Sequence, residues 1–65
     1  MARGTVAWFN GTKGFGFITP ADGGAELFVH RSELGDLLGL EDKQEVEFTV
    51  GEGRKGPQAQ AVRLV

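Results

Sequence analysis

Apolar and polar residues alternate with a period of two along most of this chain, and glycine-rich stretches interrupt the alternation. Side chains on a strand point to opposite faces in turn, so this period marks strands. No window keeps a 3.6-residue apolar period over three turns, and no long helix is expected. The pattern predicts five strands, over residues 3–9, 14–19, 26–30, 44–50 and 58–65. Asn10-Gly11 signals a turn, because both residue types tolerate positive φ. Residues 20–24 and 51–57 read as loops. Residues 31–43 form a longer connection, with a single helical turn expected at 32–34. Five short strands with no helix to cover a sheet face call for closure into a small all-β barrel, which also removes exposed edges.

The second and third strands are apolar on both faces, but not in the same way. Phe15 and Phe17 share one face, with Gly16 and Ile18 on the other. Phe28 and His30 likewise oppose Leu27 and Val29. A barrel of this size has one interior, so only one of the two faces is buried. The aliphatic set is the better partner for Val6, Leu34, Val46, Phe48, Val62 and Leu64. In the fourth strand Val46, Phe48 and Val50 alternate with Glu45, Glu47 and Thr49, an ordinary half-buried pattern. The rings Phe15, Phe17, Phe28 and His30 are then left outside. Trp8, at the end of the first strand, can join them. Phe9 has the opposite parity and is a candidate for the core, although a bulge would bring both rings near the surface.

Length makes this division matter. The chain has 65 residues, which fits one domain over 1–65. A chain this short buries only about 60% of its unfolded surface, so its core is thin. It has no cysteine to staple it, and no Cys/His cluster suited to a structural zinc. A reducing compartment is expected. No apolar run approaches the roughly 20 residues that span a bilayer, and no charged-then-apolar leader precedes the first strand, so neither membrane insertion nor export is expected.

An exposed cluster of rings on adjacent strands usually marks a binding surface. Its neighbours suggest the ligand. Lys13 precedes Phe15, Arg31 follows His30, Asn10 follows Trp8 and Phe9, and Gly14 and Gly16 flank Phe15. Flat, unpaired nucleobases fit such rings. The formal net charge of −2 looks wrong for a polyanion binder. The charges are unevenly spread, however. Residues 1–31 carry Arg3, Lys13 and Arg31 against Asp22 and Glu26, whereas residues 32–52 carry seven acids against Lys43 alone. Arg54, Lys55 and Arg63 follow. Each base stacked on an aromatic ring contributes roughly 1–3 kcal/mol. Three or four such contacts outweigh a weak repulsion that is screened beyond about 8 Å at physiological salt. Duplex bases already stack on one another, so single strands are favoured. The same exposed rings on an acidic chain also suit a proline-rich peptide, as aromatic grooves of other small barrels do.

Gly4-Thr5-Val6-Ala7-Trp8-Phe9-Asn10, Lys13-Gly14-Phe15-Gly16-Phe17-Ile18, Leu27-Phe28-Val29-His30 and Gly56-Pro57-Gln58-Ala59 together closely resemble the bacterial cold-shock protein family over essentially the whole chain. The resemblance implies a five-stranded antiparallel oligonucleotide-binding (OB-fold) barrel with ribonucleoprotein-type motifs on strands two and three. It implies binding to single-stranded RNA and DNA with low sequence selectivity, and a cytoplasmic RNA-chaperone role with effects on transcription termination and translation. A monomer is expected, with no cofactor, metal or membrane partner. Carried over residue by residue, the stacking platform falls on Trp8, Phe15, Phe17, Phe28 and His30. Polar contacts fall on Lys13, Asn10, Arg54 and Gln58, and Arg31 is added because a guanidinium both stacks on a base and meets phosphate. Three departures stand out. Ala7 and Arg31 stand where many members have lysine and phenylalanine. The connection after His30 is shorter than usual and has Leu37 and Leu38 where a further exposed aromatic is common.

Other signals carry less. Residues 13–18 also resemble the start of the RNA-recognition-motif signature, but that fold needs two helices and a longer chain. Gly11-Thr12-Lys13-Gly14 and Gly53-Arg54-Lys55-Gly56 spell the GxxG of a helix-flanked RNA-binding loop, yet here they lie between strands. His30, the single histidine, has no triad or metal set around it in the sequence, and no catalytic residue is assigned. Glu26 lies near enough to the rings to accept from a base amine. Residues 36–40, rich in leucine, are expected either to lid one end of the barrel or to contact a protein.

Overall fold

The computed structural model describes residues 2–35, 37, 39–53 and 56–65. The five expected strands are present: β1 (Ala2–Asn10), β2 (Phe15–Pro20), β3 (Leu27–His30), β4 (Glu45–Gly53) and β5 (Gly56–Leu64), with one 3₁₀ turn, Arg31–Glu33, after β3. They close into a barrel in the order β1-β2-β3-β5-β4, with β4 returning to β1. The barrel is that of the oligonucleotide-binding fold expected above. Four of its junctions are antiparallel, and the one between β3 and β5 is parallel, because β5 returns to β3 only after crossing the barrel through β4.

The aliphatic side of each strand fills the interior. Val6, Ile18, Leu27, Val29, Leu34, Val46, Phe48 and Val62 are buried as expected, and Leu40 and Ala59 join them. Two expected core positions are corrected. Leu64 is 48% exposed and Val50 54% exposed. Both point inward by parity but lie where their strands run past the ends of the core. Val50 borders an apolar mouth with Pro20, Leu27 and Pro57, and Leu64 borders a groove with Leu34 and Leu37 at the other end. In the long connection Leu40 is buried and Leu37 packs against the core, so these two cap the barrel. Asp36 and Leu38 lie outside the described residues.

Two bulges set which side chains face out. On β1, Val6 pairs with Ile18 but Trp8 pairs with Phe17, so Ala7 is an extra residue. On β5, Arg63 pairs with Glu47 but Gln60 pairs with Thr49, so β5 has one residue more than β4 there. Ala61, at that bulge, takes φ +51°, and its N–H donates to Glu33 Oε1 at 3.2 Å. The glycine-rich stretch expected as a loop over 51–57 is also corrected. The β4–β5 ladder continues through Gly51↔Gln58 and Glu52↔Pro57 to Gly53↔Gly56. Its glycines lie within strands, and Gly56 takes φ +105° at the start of β5.

Lys43 holds φ +66° just before β4, where its N–H donates to Val6 O at 2.7 Å beside the β1 bulge. A left-handed conformation costs an L-residue about 1–2 kcal/mol. Glycine escapes that cost but loses about 0.5–1 kcal/mol more chain entropy on folding. Lys43→Gly is therefore expected to stabilise the fold by about 0.5 kcal/mol, seen as a higher urea midpoint. A lower midpoint contradicts this account.

Candidate nucleic-acid interface

The outer face of β1, β2 and β3 carries the rings. Trp8 pairs with Phe17 and Phe17 with Phe28, while Asn10 pairs with Phe15 and Phe15 with His30. Paired residues share a face, so two parallel rows run across the three strands. The Ala7 bulge is what turns Trp8 outward. Without it, Trp8 would keep the inward parity of Val6. The same shift turns Phe9 inward, where it packs against the core opposite Gly16, with Gly39 over its ring. The question left open at Phe9 is thus resolved toward the core.

The four aromatic rings touch in a chain. Trp8 lies 5.7 Å from Phe15 and 5.4 Å from Phe17 between centroids. Phe28 lies 5.9 Å from Phe15, nearly stacked, and 5.9 Å from Phe17, edge to face. Such contacts fix the rings relative to one another. Trp8 is 41% exposed, and the three phenylalanines are half-buried with one side open.

His30 is exposed at the end of β3. Its Nδ1 accepts from the Ser32 N–H at 3.1 Å and lies 2.9 Å from Ser32 Oγ. Accepting at Nδ1 leaves Nε2 to carry the hydrogen of the neutral ring. His30 thus caps the 3₁₀ turn through Ser32, a contact not expected from the sequence.

The polar residues at the rim divide into groups. Asn10 Oδ1 accepts from the N–H groups of Thr12 and Lys13, both at 3.0 Å, so this end of the side chain builds the β1–β2 turn. Among the described residues its amide nitrogen has no hydrogen-bond partner. Lys13 is exposed on that turn. Arg31 lays its aliphatic stem over Gly14, whose φ is +78°, and a Cβ there would sit 2.9 Å from Arg31 Cδ. The Arg31 N–H donates to Gly14 O at 2.8 Å, tying the two ends of the rim together. Gln58 is half-buried on β5, paired with Phe28. Arg54 and Lys55 lie outside the described residues. Glu26 is exposed, with Thr19 Oγ1 donating to it at 3.5 Å, at the end of the face beyond Phe17.

Arg3 does not join the rim. Its Nε lies 3.4 Å from Glu47 Oε2 across the β1–β4 junction. The acidic residues 41–47 belong to β4 and the turn before it, against the first half of β1. Apart from Glu26 at its edge, the described acidic residues lie off β1, β2 and β3, which leaves the ring-bearing face less negative than the chain as a whole. Among the described residues no group of three or more His, Cys, Asp or Glu side chains is placed to hold a metal ion. No helix among them is long and apolar enough to cross a membrane.

Comparison with known proteins agrees with this geometry. The family described as the 'Cold-shock' DNA-binding domain matches residues 2–65. "Probable cold shock protein A" of Mycolicibacterium smegmatis and "Cold shock protein" of Arthrobacter globiformis are each 54% identical over 67 aligned positions, covering 100% of both chains. "Cold shock-like protein CspA" of Bordetella pertussis is 46% identical over 67 positions, again covering 100% of both.

Proposed function

The chain belongs to the cold-shock DNA-binding domain family, a nucleic-acid-binding and non-enzymatic family, and on that premise we propose that it binds single-stranded RNA and DNA through the aromatic face, with low base selectivity. The observation that supports this reading most is the set of four mutually touching rings, open on one side of the barrel. Every base has a π-face, so such a platform accepts many sequences. The proposed contacts are Trp8, Phe15, Phe17, Phe28 and His30 by stacking, and Asn10, Lys13, Arg31, Arg54 and Gln58 at the rim. A monomer that binds only the open form of an RNA shifts hairpins toward that form. This is the action of an RNA chaperone in the cytoplasm, and effects on transcription termination and translation follow from it.

Trp8 supplies the readout. Titration with a short pyrimidine-rich strand is expected to quench its fluorescence, and the matched duplex is expected to leave it nearly unchanged. Equal binding of both forms, or no quenching at micromolar protein and low salt, overturns the reading.

The salt dependence is expected to be shallow. Single strands release counterions worth a slope of about −0.7 per neutralised phosphate. With Lys13 and Arg31 as contributors, log affinity against log salt falls with a slope of about −1.4, and engagement of Arg54 and Lys55 as well brings it to about −2.8. A slope steeper than about −3 would show that charge, not stacking, carries the affinity.

A further inference from the structure

The ring-bearing face does not stop at β3. Gln58 pairs with Phe28 across the parallel junction and with Gly51 across the antiparallel one, so one circumferential row runs Trp8, Phe17, Phe28, Gln58, Gly51. Because β3 and β5 run in the same direction, two residues further along each lie His30 and Gln60. Ala59 between the two glutamines is fully buried, which sends both glutamines to the outer face. Gln60 therefore stands level with the His30–Phe15 row, about 6.7 Å along the strand from Gln58.

Gln60 does not project freely. Its carboxamide lies flat on Gly51, and a Cβ built there would sit 2.7 Å from Gln60 Nε2. Gln58 lies in the same way over Gly53, whose Cβ would sit 3.1 Å from Gln58 Cγ. Side chains at 51 and 53 would lift both amides off the sheet. The two glycines thus make a shallow shelf, and the two glutamines pave it. Both are half-buried, which limits the rotamer entropy lost on contact. Among the described residues neither carboxamide has a hydrogen-bond partner, so each offers a donor and an acceptor to a ligand.

We propose that Gln60, seated on Gly51 beside Gln58, is a nucleobase-contacting residue that extends the single-strand site from β3 onto β5. The proposal rests on the function proposed above. The ligand chemistry is the hydrogen-bonding edge of an unstacked base. A base edge presents a donor next to an acceptor, and a carboxamide matches that pair in two bonds. The shelf is uncharged, so it adds contacts without adding counterion release and leaves the expected salt slope shallow. A base passing beyond Phe28 or His30 meets amides rather than rings, and is held by its edge rather than its face.

The experiment follows the side-chain amide resonances of Gln60 and Gln58 while the unaltered protein is titrated with single strands lengthened one nucleotide at a time. Affinity of Gln60→Ala is measured in parallel, with its urea midpoint as a check on folding. Once the strand is long enough to pass Phe28, the Gln60 amide signal is expected to move. Gln60→Ala is expected to lose about five-fold in affinity for those longer strands and little for the shorter ones. A Gln60 amide that stays in place at saturation, with Gln60→Ala binding long and short strands as the unaltered protein does, overturns the extension while leaving the aromatic site intact. Absence of any binding by the unaltered protein overturns the proposed function itself. If Gln60→Ala does not fold, the resonance shift in the unaltered protein decides alone.

Discussion

Phe28→Ala and, separately, Phe17→Ala are each expected to weaken binding of a short single strand by roughly 1–3 kcal/mol, a loss of about 5- to 150-fold in affinity. Both rings stand on the outer face, paired with one another across β2 and β3 at 5.9 Å. Truncating either removes a stacking surface without opening a hole in the core, whose members Ile18, Val29, Val46 and Phe48 lie fully buried on the opposite side of the sheet. Stability is therefore expected to fall by only about 1 kcal/mol, the share owed to ring–ring contact. Trp8 quenching measures the affinity, and urea unfolding the stability. Duplex affinity is the internal control and is expected to stay low and unchanged. Variants that unfold readily but, where folded, bind as tightly as the parent would show that these rings are structural filler.

What the sequence revealed followed from how faithfully each strand keeps its period. β2 and β3 pair without interruption from Phe15↔His30 to Ile18↔Leu27, and there alternation alone separated the buried aliphatics from the outward rings. β1 and β5 break their period. The extra Ala7 reverses parity between Val6 and Trp8, so a count of two from the buried Val6 puts Trp8 on the wrong side. The bulge at Ala61 does the same between Ala59 and Val62, both buried though three residues apart. Neither bulge carries a glycine, and composition therefore gave no warning. The hairpin of β4 and β5 was hidden for the opposite reason. Its glycines look like turn residues, yet Gly51 and Gly53 are strand positions kept bare by the glutamines lying over them. Val50 and Leu64 have core parity and lack only a neighbour beyond the barrel's ends, which a local pattern cannot supply.

The site inherits these limits. Phe15, Phe17 and Phe28 were legible because they sit on the regular strands. Trp8 joins them through a bulge that no residue type announces. The proposed contact at Gln60 lay unnoticed because Gly51, the residue its carboxamide covers, read as a loop. Arg31 is a different case. Its neighbour in sequence is His30, but its packing partner is Gly14 on the β1–β2 turn, and the backbone hydrogen bond from Arg31 to Gly14 brings it to the rim.

Gly16→Ala is expected to cost about 3 kcal/mol of stability, a large part of the roughly 5–15 kcal/mol that holds a small domain together. Gly16 is buried opposite Phe9, directly after the β1 bulge. A Cβ there would lie 2.7 Å from Phe9 Cα and 2.8 Å from Phe9 Cδ1, and would press on the carbonyl oxygen of Trp8. The Phe9 ring has core on one side and Gly39 on the other, and the remaining contacts are backbone, so nothing nearby swings aside cheaply. The relief available is to push the second half of β1 away from β2. That movement carries Trp8 off Phe15 and Phe17, so the remaining folded protein is expected to show altered Trp8 emission and weaker single-strand binding as well. Gly11→Ala is the matched control, because a Cβ at Gly11 meets nothing within 4 Å. Should the two alanine variants unfold at the same urea concentration, Gly16 is not what lets Phe9 turn in and Trp8 turn out, and the link drawn here between the bulge and the platform fails.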